Sequence, residues 1–168
     1  MRKYLLPLAS LLLVAPAVCN AGSPPAMDSS AAFDRLRNLA GTWEVKTDKE
    51  PLRIHYEVIS GGSAVVERVV VDKMPMETIY HLDGARLLLT HYCMLGNQPR
   101  MEAKDYDPET GELRFEFLDA TNLSDPGAPH MHNAKFQFVD ADHVTADWEF
   151  FEGGKYKSTE HFEFTRVE

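Results

Sequence analysis

The chain changes its hydrophobic period once, at Gly41. Before it, Phe33, Leu36 and Leu39 recur every three residues with Arg35 and Arg37 between them, the single apolar stripe of a short helix. Asp28, Ser29 and Ser30 offer side-chain oxygens to cap its start, and Gly41 is placed to stop it. After Gly41 apolar residues alternate with polar ones. Trp43 and Val45 share a face, followed by Leu52, Ile54, Tyr56 and Val58, and then by Val65, Val69 and Val71. Leu87, Leu89, His91 and Cys93 form the next set, then Leu113, Phe115 and Phe117, then Ala134, Phe136 and Phe138. Val144, Ala146, Trp148 and Phe150 follow, and Phe162 and Phe164 end the pattern. Arg53, His55, Glu57, Arg114, Glu116, Asp147 and Glu149 occupy the opposite faces. One apolar and one wet face per strand is the signature of antiparallel sheet.

Turn residues separate these segments at Gly61-Gly62, Asp83-Gly84, Gly96-Asn97, Pro108 to Gly111, Asp140 to Asp142 and Gly153-Gly154. About ten strands in sequential hairpins are implied. Closure removes the edges of so long a meander. The predicted fold is therefore all-β: an up-and-down antiparallel barrel of about 8–10 strands behind a short N-terminal helix. A two-sheet sandwich would need longer crossovers than most of these connections allow. The one long connection, Ala120 to Pro129, is able to fold over a barrel mouth.

The first residues read differently. Arg2 and Lys3 precede an apolar run from Leu5 to Val14, with small residues at Ala15, Ala17, Cys19 and Ala21. This is the pattern of a secretory signal peptide over residues 1–21, too short for a permanent membrane anchor. A linker over 22–28 and one domain over 29–168 follow, so the expected location is secreted or periplasmic. Lipid attachment at Cys19 is a minor alternative. Removing Arg2 and Lys3 takes the formal net charge from −9 to −11, which disfavours a nucleic-acid or anionic-membrane partner. Cys93 is then the only cysteine, so no internal disulfide forms and the core must supply the stability.

The stretch Leu39-Ala40-Gly41-Thr42-Trp43-Glu44 gives the chain a family look. Gly41-Thr42-Trp43 after an apolar helix resembles the Gly-x-Trp opening of lipocalins, within the calycin superfamily of lipocalins, fatty-acid-binding proteins and nitrobindin-like barrels. Tyr80 to Gly84 and Thr90 to Cys93 are similar to bacterial secreted lipocalin-like domains. The resemblance implies a ligand-holding barrel in which Trp43 packs across the closed end and a C-terminal arginine, here Arg166, covers its ring by a cation–π contact. Gly41, Trp43 and Arg166 are then structural. Haem-binding nitrobindins carry a glycine-rich strand after the Trp, where this chain has Glu44-Val45-Lys46, and the Thr-Asp-Tyr loop of lipocalins is absent.

The candidate ligand-binding residues are His91, Cys93, Arg100, Tyr56, Tyr80, His132 and Trp148. His91 and Cys93 lie two apart on one strand face. Arg100 can bind a carboxylate through both arms of its guanidinium. Tyr56, Tyr80 and Trp148 suit a pocket wall with few polar groups. His130 and His132 follow the long loop. The expected function is the binding of a small, largely apolar molecule, with no cofactor and no metal site. An enzyme with His91 as general base and a Tyr or Arg100 as oxyanion partner is one alternative, and a haem-binding barrel with His91 or His132 as axial ligand is another. No catalytic residue is assigned: no nucleophile triad, paired catalytic carboxylates or phosphate loop occurs in a fitting context.

Overall fold

A computed structural model describes residues 27–46, 51–71 and 73–167. The expected signal peptide, Cys19 and most of the expected linker lie outside the described residues. One helix, α1 (Ser29–Arg37), precedes ten strands: β1 (Gly41–Val45), β2 (Leu52–Ile59), β3 (Ala64–Val71), β4 (Met74–Asp83), β5 (Arg86–Tyr92), β6 (Gln98–Asp107), β7 (Glu112–Thr121), β8 (His130–Phe138), β9 (His143–Glu152) and β10 (Lys155–Arg166). Each strand pairs antiparallel with its sequence neighbours, and β1 pairs with β10 to close the barrel. The predicted up-and-down barrel is the observed fold, with ten strands.

The alternating residues do what their period demands. Ile54, Tyr56, Val65, Leu87, Leu89, Leu113, Phe115, Phe136, Ala146 and Phe164 are all buried in one core. Ion pairs such as Arg68 with Glu57 and Glu77 decorate the outside. The Asp28 carboxylate caps α1 by accepting the Ala31 amide at 2.9 Å. The helix ends at Arg37, four residues before the expected stop at Gly41, which instead opens β1 with a φ of 127°. Ala32, Phe33 and Leu36 join the barrel core, and the Ser29 hydroxyl donates to the Ala85 carbonyl at 2.6 Å. The helix therefore closes the barrel end that carries the β4–β5 turn.

At this closed end Trp43 is buried and its indole N–H donates to the Leu39 carbonyl at 2.7 Å. The Arg166 guanidinium lies 4.2 Å from the Trp43 ring centroid. The same guanidinium donates to the carbonyls of Asn38, Ala40 and Ala141. Helix, first strand and last strand are thus tied at one point. The opposite end carries the β5–β6 turn, the loop from Asn122 to Pro129 and the β9–β10 turn.

Two strand pairs are irregular where the site lies. The β6–β7 ladder shifts register between Arg100 and Met101, and the β8–β9 ladder shifts between Met131 and Asn133. The β7–β8 ladder runs only from Glu112 to Phe115, although β7 continues to Thr121. Beyond Phe115 these strands part.

Candidate ligand-binding site

Four inward positions on four adjacent strands line up across the sheet. Tyr56 of β2 faces Glu67 of β3, Glu67 faces Thr78 of β4, and Thr78 faces His91 of β5. Side chains in direct cross-strand register stand close enough to interact, and here they do. The Tyr56 hydroxyl donates to Glu67 Oε2 at 3.0 Å. Tyr80, one inward position along β4, donates to the same oxygen at 2.6 Å. The Thr78 hydroxyl and His91 Nδ1 are 2.9 Å apart. All five side chains are buried.

The sequence places them there for simple reasons. Glu67 shares the parity of Val65, Val69 and Val71, so the alternation that buries those valines carries a carboxyl inside with them. Thr78 shares the parity of Met76 and Tyr80. A buried carboxyl demands donors, and the two tyrosines supply them. Burial still pushes the Glu67 carboxyl up from its ordinary value, against the pull of the two phenols. Burial, reinforced by the neighbouring Glu67, raises both Tyr56 and Tyr80. Burial alone lowers His91 to about 4, so its imidazole is neutral at physiological pH. Its Nε2 is buried and has no hydrogen-bond partner.

His91 and Glu67 line a cavity of about 60 Å³ toward the end of the barrel away from α1. Ile54, Val69, Met131 and Trp148 supply much of its apolar wall. The His91 and Trp148 rings lie 5.2 Å apart between centroids. Among the described residues no Lys or Arg lines the cavity. Its volume accommodates a few waters or one small molecule and is well below the roughly 300 Å³ at which drug-sized pockets begin.

The sequence candidates therefore divide. His91 and Trp148 meet at the cavity. Tyr56 and Tyr80 are fully buried behind it, with their hydroxyls on Glu67. Arg100 stands elsewhere: it is exposed on the outer face, ion-paired with Asp119, and opposite the outward Thr90. Strand parity excludes it from the interior, because Met101 is its inward neighbour. Cys93 lies one residue past the end of β5, in a turn closed by its own amide on the Asn97 carbonyl. It does not line the cavity, and burial pushes its thiol up.

His132 belongs to a separate place, the gap where β7 and β8 part. The register shift at this position takes it out of the inward row, and it stacks between Phe117 and Phe151 at centroid distances of 4.5 and 3.8 Å. His130 Nδ1 donates to the Ala128 carbonyl at 2.7 Å, so its Nε2 accepts from His132 Nδ1 at 2.9 Å. Burial and the adjacent His130 lower the His132 pKa. Asn133 bridges the same gap by accepting the Phe117 amide at 3.1 Å and donating to Glu149 at 2.7 Å.

No protein-family model matches the sequence, and no curated protein matches it significantly. Among the described residues no three His, Cys, Asp or Glu side chains converge as a metal site would require. Sequence reasoning missed Glu67 and Thr78, although their parity within β3 and β4 was the available signal.

Proposed function

We propose that the protein is a secreted or periplasmic lipocalin-like container that holds a small, largely apolar molecule in the open half of its barrel. The observation that carries this reading is a buried imidazole nitrogen without a partner in the wall of an apolar cavity. A buried polar atom left unmade costs about 1–3 kcal/mol, so a ligand that satisfies it gains orientation as well as affinity. Apolar burial supplies the rest, at roughly 25 cal/mol per Å². The Gly41-Thr42-Trp43 opening and the Arg166 contact to Trp43 support the lipocalin-like assignment.

The binding reading is better supported than a catalytic one. An enzyme with His91 as base needs an oxyanion partner. The hydroxyls of Tyr56 and Tyr80 are engaged by Glu67, and Arg100 lies outside the barrel. A porphyrin is also far larger than a cavity of about 60 Å³. The ligand is thus smaller than a lipid or a haem.

Titration with dissolved xenon and cyclopropane, probes small enough for a cavity of about 60 Å³, followed by amide chemical shifts, tests the reading. Saturable shifts confined to Ile54, Val69, His91, Met131 and Trp148 are expected, and Val69→Trp, which fills the cavity, abolishes them. Shifts scattered over the surface, or unchanged by Val69→Trp, overturn it.

A further inference from the structure

Two thioethers share the cavity with His91. Met76 and Met131 both line it, together with Trp148 and Glu67. Strand register brings them around one space. Thr78 faces His91 across β4 and β5, so Met76, two residues along β4, is the diagonal neighbour of His91. Met131 faces Phe150 across β8 and β9, which makes it the diagonal neighbour of Trp148. The Trp148 ring in turn lies 5.2 Å from that of His91. A cavity of about 60 Å³ is roughly 5 Å across, which an unbranched methionine side chain can reach into from the wall. Both methionines are only partly buried against the core, unlike the fully buried Met101.

The donors are soft. His91 Nε2 is buried without a hydrogen-bond partner. The Thr78 hydroxyl, 2.9 Å from His91 Nδ1, can accept a proton held there and leave Nε2 free as a ligand, the usual support of a metal-binding imidazole. Thioethers with an imidazole select Cu(I), whereas Zn²⁺ takes thiolates, imidazoles and carboxylates. Among the described residues no three His, Cys, Asp or Glu side chains converge to make that second kind of set. Charge points the same way. Among the described residues Glu67 is the only acid in the wall, and no Lys or Arg opposes it. A buried cation needs a counter-charge, and Glu67 is placed to supply it. The Trp148 ring adds a π-surface that attracts cations.

We infer that the cavity is a binding site for Cu(I), with His91 Nε2 and the thioethers of Met76 and Met131 as its ligands and Glu67 as the counter-charge. This goes beyond the container reading. The cavity is the same, but the occupant is a soft cation, which competes with an apolar molecule for one space.

Silver(I) is a redox-inert stand-in for Cu(I). The full chain with Cys19→Ser and Cys93→Ser, which removes both competing thiols, is titrated with silver nitrate in chloride-free buffer. Methionine methyl and His91 ring-nitrogen shifts report the outcome. One equivalent should move the Met76 and Met131 methyls and His91 Nε2 together, and leave Met74, Met94 and Met101 in place. Cu(I) buffered by a chelator should displace the silver, and Zn²⁺ should move none of these signals. Met76→Leu and Met131→Leu conserve volume, and each should weaken silver binding at least about tenfold. Shifts at Met74 or Met94 instead, equal movement by Zn²⁺, unchanged affinity in either folded leucine variant, or no silver binding overturns the inference. Cyclopropane separates the two readings. Cyclopropane binding without silver binding keeps the container and removes the metal site. Silver binding without cyclopropane binding keeps the metal site and removes the apolar ligand.

Discussion

The Tyr80 hydroxyl lies 2.6 Å from Glu67 Oε2, and both residues are buried in the barrel wall. Removing this donor in Tyr80→Phe leaves the carboxyl with Tyr56 alone. A hydrogen bond to a buried ionisable group contributes about 1.5–3 kcal/mol, and Tyr80→Phe should destabilise the fold by that amount in urea denaturation. Glu67→Gln keeps an oxygen acceptor for both phenols. The raised Glu67 pKa means that stability present below the unfolded value of 4.5 is lost as pH rises through the folded value. Glu67→Gln removes that loss, so at neutral pH it should cost less than Tyr80→Phe. A larger cost for Glu67→Gln would show that the charge, rather than its hydrogen bonds, organises the wall.

His91 acts on stability in the opposite direction along the pH axis. Its pKa falls from 6.5 to about 4 on folding because burial penalises the imidazolium. The unfolded chain takes up the proton first, so the His91 contribution is complete above about pH 6.5 and declines as pH falls toward about 4. The full effect is about 3 kcal/mol, at roughly 1.4 kcal/mol for each pH unit separating the unfolded and folded values. Glu67, facing the same cavity, works against this decline between its unfolded value and its raised folded one. The difference between wild type and His91→Gln, measured by urea midpoints from about pH 7 to about pH 4.5, isolates the histidine. The wild type should lose stability faster than the variant across that range, and parallel curves would show that the folded imidazole takes up its proton as readily as the unfolded one.

The period change at Gly41 and the alternation after it are enough to read a closed meander, because burial of one face imposes period 2 on every strand. The individual site residues are harder. Valines mark the inward row of β3, and Glu67, in phase with them, has the residue type of an outward position. His132 is itself the extra residue at the register shift of β8, where the strand is reoriented. Arg100, by contrast, is outward by the regular alternation of Pro99, Met101 and Ala103, and only its partner strand β7 carries an extra residue. No residue type in either segment announces the shift. Cys93 has the parity of His91, but β5 ends at Tyr92 and parity ends with it. Alternation thus positions side chains well inside regular strands and fails at their ends and bulges, where this barrel keeps its mouth.

Arg166 joins three elements through one planar group, over Trp43 and against the carbonyls of Asn38, Ala40 and Ala141. Asn38 caps the C-terminus of α1, where a cation also meets the negative end of the helix dipole. Arg166→Ala should cost about 2–3 kcal/mol by thermal or urea denaturation, combining a desolvated cation–π contact with charge-assisted hydrogen bonds. Arg166→Lys keeps the charge over the ring but cannot reach three carbonyls in one plane, so it should recover only part of the loss. Full recovery by lysine would reduce the role of Arg166 to its charge. The indole of Trp43 reports the same event, and its near-ultraviolet dichroism should weaken in the alanine variant.

The gap between β7 and β8 depends on Asn133, whose amide stands in for the missing ladder. Its oxygen accepts the Phe117 amide at 3.1 Å and its nitrogen donates to Glu149 at 2.7 Å. Asn133→Ala removes both, leaving the Phe117 N–H to open to solvent with the gap. Loss of one such bond, about 1 kcal/mol or slightly more, should speed hydrogen exchange at Phe117 by roughly tenfold relative to Phe115, which stays in the regular ladder opposite Ala134. Asn133→Asp separates the two halves of the role. The carboxylate still accepts the Phe117 amide, so protection there should persist, but it faces Glu149 with two like charges and no donor. This variant should therefore be less stable than the alanine variant at neutral pH, and should recover as the pair is protonated in acid. Equal exchange at Phe117 in wild type and Asn133→Ala would mean that stacking of His132 between Phe117 and Phe151 closes the gap without the amide.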